Sequence, residues 1–272
     1  SFLVFKPIIT MLDFNKIVKS LWKKWWKVIF KKDIFELVDP ECKQQYSSYV
    51  DKTIYRMRSE STIIALKSWV YILPDEEDKN LNSIDLLEKY YLKLLKKYIT
   101  DQVWSHYYIS WLKSLEFHMK DFSVPEKIYV INRNISKKIL VGNYEIIFKT
   151  ISGKNQWKKI NLYNKFSAYS KELQHEWILF KTSGLELALL ESALVSDMYE
   201  WIDISPLMKA LKKYGKVLDE SIFREIGKYK YNMSFNRLKE ISKTLDRELY
   251  KLFLDIIKTN GWCFVGEGLR GI

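Results

Sequence analysis

Cysteine is almost missing from the 272 residues: Cys42 and Cys263 stand alone and far apart. That excludes a disulfide framework and a cysteine-based zinc spacing. It fits a reducing compartment, and the chain is expected in the cytoplasm. Histidine is as scarce, and His106, His118 and His175 show no metal-ligand spacing. No apolar run approaches the roughly 20 residues that a membrane span needs, so no membrane is expected as a partner. The apolar start, Ser1 to Thr10, is broken by Lys6-Pro7 and is not a signal peptide; Met11 reads as the natural start, with residues 1–10 as upstream translation.

Glycine is the most telling shortage. The chain holds 9 Gly and 10 Trp. At the average usage of about 7% it would hold about nineteen glycines, which is the two counts together. The tryptophans stand where glycine is expected: Trp69 at a turn tip, Trp157 after Asn155-Gln156, Trp262 after Gly261, and Trp25-Trp26 among lysines. A large apolar ring is rarely placed on a turn. The expectation is that UGA codons, read here as Trp, specify Gly in the cell of origin. The alternative is a Trp-rich protein with exposed stacking residues.

Catalytic motifs are absent as well. There is no G-x-S-x-G, no H-E-x-x-H and no Walker loop. The run Gly266 to Gly271 lacks the strand-then-helix context of a phosphate loop. A metal-dependent nuclease needs a Glu-x-Lys triplet on a strand. The triplets here, Glu41-Cys42-Lys43 and Glu77-Asp78-Lys79, fall on a helix and a linker. Glu191, Asp197 and Asp203 are the carboxylates an enzyme could use, but capping and surface roles are commoner. The chain is therefore not expected to be an enzyme, and no catalytic residue, metal or cofactor is assigned.

What is present is a hydrophobic content of 47%, enough for real cores, and a formal charge of +12. A basic excess of this size favours nucleic acid or an anionic surface as partner; a Lys-rich codon bias is the bland alternative. The stretch from Asp39 to Pro74 organises the rest. Asp39 suits an N-cap and Pro40 the first helical position. Tyr46, Val50, Ile54 and Met57 then recur at helical spacing as a buried face. The opposite face carries Gln44, Gln45, Ser48, Lys52, Tyr55 and Arg56, side chains able to contact base edges and phosphates. A ribbon follows, Thr62 to Leu66 returning over Val70 to Leu73, with Lys67-Ser68-Trp69 at its tip. Ahead lie a helix over Asp13 to Leu21, a short strand at Val28 to Phe30 and a helix over Lys31 to Val38. Helix, strand, helix, helix, ribbon is the order of a winged helix-turn-helix, and a generic three-helix domain is the alternative. On the winged-helix reading Lys43, Gln44, Gln45, Ser48, Lys52, Tyr55, Arg56, Arg58 and Lys67 are the DNA-binding set. Gln44, Gln45, Ser48 and Lys52 enter the major groove, and Lys43, Lys52, Arg56, Arg58 and Lys67 meet phosphates.

The domain is expected to span residues 11–74, with 75–83 as an acidic, solvated linker around Asp75 to Asp78 and 84–272 as a second domain. An amphipathic helix, Ile84 to Ile99, opens that domain and is expected to pack on it. Strands follow at Tyr107 to Ser110, Lys127 to Asn132, a hairpin over Lys138 to Ile151 turning at Gly142-Asn143, Lys159 to Tyr163 and Ile178 to Lys181. Helices come last, beginning with Gly184 to Val195 capped by Ser183. Strands then helices give an α+β class.

Trp69-Val70-Tyr71-Ile72-Leu73-Pro74, at the end of Ile54 to Pro74, resembles the "arginine-rich helix, wing, G-V-Y-x-x-P" pattern of the AbiE-type antitoxins of bacterial type IV toxin–antitoxin systems. Tyr108-Ile109-Ser110-Trp111-Leu112, with Ser114-Leu115, is similar to their "Y-I-S-G-x-x-A-L". In both places Trp stands for the family's Gly. Phe180 to Glu191 looks like their strand followed by an "S-P-E-R-A-L-L-D" helix, with Gly184 and Leu185 departing from it. The resemblance implies a cytoplasmic autorepressor that binds inverted repeats in double-stranded DNA of its own promoter. It also implies that the C-terminal domain counteracts a nucleotidyltransferase toxin without a stable complex. Two other readings stay open: a nucleic-acid-processing, nuclease-like enzyme with a winged-helix targeting module, and an interaction scaffold whose winged helix docks protein.

Overall fold

The computed structural model describes residues 14–23, 27–38, 47–155, 158–194 and 204–262. Residues 1–10 with Met11, the N-cap Asp39 with Pro40, the stretch through Tyr46, the carboxylates Asp197 and Asp203, and the Gly-rich 266–271 lie outside them. The chain is mixed α and β and divides into two compact units, Ser1–Tyr98 and Ile99–Ile272.

The first unit begins α1 (Phe14–Trp22), β1 (Val28–Phe30), α2 (Lys31–Val38), α3 (Ser47–Ser59), β2 (Ile64–Lys67), β3 (Val70–Ile72). Its sheet has the order β1-β3-β2, antiparallel throughout, with Phe30 opposite Val70 and Lys67 opposite Val70 across the ribbon. A bulge between Ala65 and Lys67 bends the ribbon. The expected helical periodicity builds the core. Ile17, Leu21, Ile34, Val50, Ile54 and Met57 come from the three helices, and Ile29, Ile63, Tyr71 and Leu73 from the sheet side. Thr53 also turns inward, and its hydroxyl is satisfied by the Tyr49 carbonyl at 2.8 Å.

The expected linker 75–83 falls inside this unit. Glu77–Asn80 forms a helical turn whose Asp78 is fully buried, not solvated. Its carboxylate accepts from the Asp75 backbone N–H at 2.8 Å, the Lys89 ammonium at 2.6 Å and the Tyr90 hydroxyl. A buried charge is tolerable when it is satisfied in this way. Both side-chain donors sit on α4 (Ser83–Val103), so the acidic turn holds the start of that helix instead of marking a boundary. Further along α4, Lys97 bonds the buried Asp33 at 2.7 Å, and Tyr98 packs on Phe30 at 4.8 Å between ring centroids. The apolar stripe expected to pack on the second domain thus serves the first unit as far as Tyr98.

The second unit continues β4 (Tyr107–Ser110), α5 (Trp111–His118), β5 (Lys127–Asn132), β6 (Lys137–Val141), β7 (Tyr144–Thr150), β8 (Ser152–Asn155) and β9 (Lys158–Asn161). Then come α6 (Tyr163–Phe166), β10 (Ser170–His175), β11 (Ile178–Ser183), α7 (Leu185–Ser192), α8 (Ser205–Tyr214), α9 (Glu220–Gly227), α10 (Asn232–Leu245) and α11 (Arg247–Thr259). Six strands form a mixed sheet, β10-β11-β4-β5-β7-β6, with β11–β4 and β5–β7 parallel. The hairpin turns at Gly142-Asn143, as its sequence requires. Every residue of α7 is buried, which is why its sequence is apolar almost all round. Around it pack Phe223, Phe235 and Phe253, with ring centroids 5.2–6.2 Å apart in edge-on pairs. Asp219 and Asp246 cap α9 and α11 through their carboxylates. Among the described residues, no helix is long and apolar enough to cross a membrane.

Candidate nucleic-acid interface and a buried polar node

Helix α3 exposes a wide arc. Val50, Thr53, Ile54 and Met57 face the core, and Ser48, Asp51, Lys52, Tyr55, Arg56 and Arg58 face outward. Ser48, Lys52 and Tyr55 follow one another at spacings of four and three, so they form one stripe. Tyr55 is 76% exposed, which is unusual for a large ring and leaves its hydroxyl and face open to a partner. Arg56 already donates to Glu60 one turn on, at 2.7 Å. Lys67 is exposed beside the ribbon tip. Of the nine expected contact residues, Ser48, Lys52, Tyr55, Arg56, Arg58 and Lys67 are thus exposed; Lys43, Gln44 and Gln45 lie outside the described residues.

Lys31 was missed by sequence reasoning, and it ties the parts together. Its backbone N–H donates to the Trp69 carbonyl at 2.9 Å. Its ammonium pairs with Asp51 of α3 at 2.6 Å and lies 5.8 Å from the Trp69 ring. The ribbon tip, the start of α2 and the middle of α3 are therefore neighbours. The available signal was the Lys-Lys step directly after an apolar strand, which places a cation at a helix start that must be compensated.

The second unit contains a buried polar node. Glu191 of α7 is 1% exposed. Its carboxyl receives the Ser183 hydroxyl at 2.7 Å, the Tyr108 hydroxyl at 3.2 Å and the Tyr231 hydroxyl at 3.4 Å. Ser183 also touches Ser114 at 3.0 Å, Ser114 touches Thr182 at 2.5 Å, and the His118 ring meets the Ser183 carbonyl at 2.7 Å. Burial pushes the Glu191 carboxyl up to about 7, against the hydroxyl donors that pull it down. Burial likewise lowers the His118 imidazole. Two sequence readings are corrected here. Ser183 does not cap α7; its side chain is drawn inward because Glu191 needs a donor, and Gly184 takes the cap position without a side-chain bond. Glu191 is neither a cap nor a surface residue. Both motif segments of the second unit, 108–115 and 180–191, converge on this node and join β4, β11, α5 and α7.

Gly184 has its own steric reason. A Cβ built there meets the Tyr169 carbonyl oxygen at 2.6 Å, and that oxygen also accepts the Gly184 N–H. The neighbour is backbone and cannot swing away. Gly184→Ala is expected to lower stability by about 1–3 kcal/mol, seen as a drop in the urea midpoint; an unchanged midpoint would show that the backbone at Tyr169 yields freely.

No family model matches the chain, and no curated protein matches it.

Proposed function

We propose that the first unit is a winged helix-turn-helix that binds double-stranded DNA, and that the chain is a transcriptional autorepressor and antitoxin. The observation that supports the DNA reading is topological and chemical at once. The order α1-β1-α2-α3-β2-β3 with sheet order β1-β3-β2 places a basic ribbon tip beside an α3 whose outer stripe is Ser48, Lys52 and Tyr55. In such an arrangement the third helix lies in the major groove and the ribbon follows the backbone. The antitoxin role rests on the resemblance of the segments around Trp111 and Glu191 to AbiE-type antitoxins. On that reading the second unit opposes a nucleotidyltransferase toxin encoded nearby.

A gel shift with the DNA upstream of the gene tests the first part. Gln45→Ala should weaken operator binding by about 1–3 kcal/mol and relax preference at one position. Lys52→Ala should weaken operator and unrelated DNA alike, because a phosphate contact carries no sequence information. Wild-type affinity in both variants would assign this face to another partner. Co-expression with the neighbouring toxin tests the second part, rescue of growth being the expected result.

A further inference from the structure

Eight described residues other than glycine have a positive φ, and three of them are tryptophan: Trp69 at 64°, Trp104 at 53° and Trp111 at 57°. In this region the Cβ of an L residue crowds the following carbonyl oxygen, so glycine is the ordinary occupant and a bulky side chain is an outlier. Only six tryptophans, at 22, 69, 104, 111, 177 and 262, fall among the described residues. Half of them are left-handed, against Lys27, Ser61, Lys120, Glu176 and Tyr231 from all the other non-glycine residues described. The bias belongs to the residue type.

Each position has its own reason to want glycine. Trp69 ends the two-residue turn between β2 and β3 and is 67% exposed. Trp104 follows the last residue of α4, donates its N–H to the Thr100 carbonyl at 3.1 Å and is 73% exposed. That is the left-handed helix stop at which α11 uses Gly261, with φ 62°. Ser61 and Lys120 close α3 and α5 in the same way, so a small or flexible side chain is tolerated there; an exposed indole has nothing to gain from it. Trp111 opens α5 with its indole nitrogen buried and without a hydrogen-bond partner, a second cost added to its backbone. A tilted ring contact with Tyr129, 4.4 Å between centroids, offsets part of this.

Trp262 is the counterexample. Its φ is not positive, its N–H closes α11 on the Ile257 carbonyl at 3.1 Å, and its ring packs 5.6 Å from Phe235 in the core. We infer that residues 69, 104 and 111 are glycines in the protein its own cells make, while residue 262 is a true tryptophan. The glycines missing from these three left-handed positions are then explained by UGA codons there, with UGG at 262.

Peptide mass spectrometry on the protein from its source cells decides this. Tryptic cleavage gives Ser68 to Lys79, Tyr98 to Lys113 and Thr259 to Arg270, which carry residue 69, residues 104 and 111, and residue 262. Glycine masses in the first two with a tryptophan mass in the third is the expected result. Tryptophan at 69, 104 or 111, or glycine at 262, overturns the inference. The recombinant chain gives a second readout. Trp69→Gly and Trp104→Gly should each raise Tm by about 2–4 °C, and Trp262→Gly should lower it. A fall in Tm for the first two would mean that those indoles make contacts the protein needs.

Discussion

Operator binding should weaken by a factor of roughly 500 as salt rises from about 50 to about 200 mM, because five phosphate contacts give a slope near −0.9 each. The five cations are Lys43, Lys52, Arg56, Arg58 and Lys67. Arg56 pairs with Glu60, but this is an exposed i,i+4 contact. Such pairs contribute only a few tenths of a kcal/mol, so a phosphate displaces Glu60 at little cost. The overall basic excess is not what selects this face. Lys and Arg outnumber Asp and Glu 18 to 13 in residues 1–98 and 27 to 20 in residues 99–272. The two units are comparably basic, so the local arrangement carries the argument: four exposed cations on α3 and the ribbon, beside a stripe with hydrogen-bonding groups. Replacing Lys52 or Lys67 with Gln should each reduce the magnitude of the slope by about 0.9. A flat salt response in the wild-type protein would reduce these charges to a solubilising role and remove the main support for the DNA reading.

Much of the element order was legible because the buried faces are periodic. Ile17, Leu21, Val50, Ile54 and Met57 recur at helical spacing, and β7 alternates between buried and less buried positions over most of its length. Strand β10 was not legible. Ser170 to His175 reads Ser-Lys-Glu-Leu-Gln-His, with one apolar residue, because it is an edge strand held by its pairing with β11 and not by a buried face. Asp78 was misread for a related reason. A carboxylate in an acidic run is solvated unless donors come from elsewhere, and Tyr90 and Lys89 arrive from the next helix. Ser183 was misread as a cap because local spacing allows that role, while its real partners, Ser114 and Glu191, are fixed by tertiary packing. The described residues of the polar face of α3 are exposed as expected, but the place of Lys31 beside them could not be seen without the register of β1 on β3. Sequence showed which residues could serve; only the packing showed which ones meet.

Glu191 should make the protein less stable as pH rises from 4.5 to about 7. Its folded pKa is raised above the unfolded value, so the stabilisation is fully present below 4.5 and is lost on the way up to the folded pKa. In that window the unfolded carboxyl has released its proton and the folded one holds it. Stability then falls by about 1.4 kcal/mol per pH unit, or roughly 3 kcal/mol across the window. His118 works in the opposite direction. Burial lowers its pKa, so the unfolded state takes up a proton first as pH falls below 6.5, and its contribution is lost on acidification. Lys230 also bears on the node: burial lowers its pKa, while the Glu191 charge raises it. The wild-type profile therefore mixes opposing slopes, and the difference between wild type and Glu191→Gln isolates the carboxyl. Gln keeps the size and can still accept from Ser183, but it cannot ionise. The difference in unfolding free energy, measured by urea titration at successive pH values, should shift steadily against the wild type as pH rises through the window. Parallel curves for the two proteins would mean that the Glu191 proton is released at the same pH folded and unfolded. The node would then hold a charge at neutral pH, and its hydroxyl donors would balance the burial.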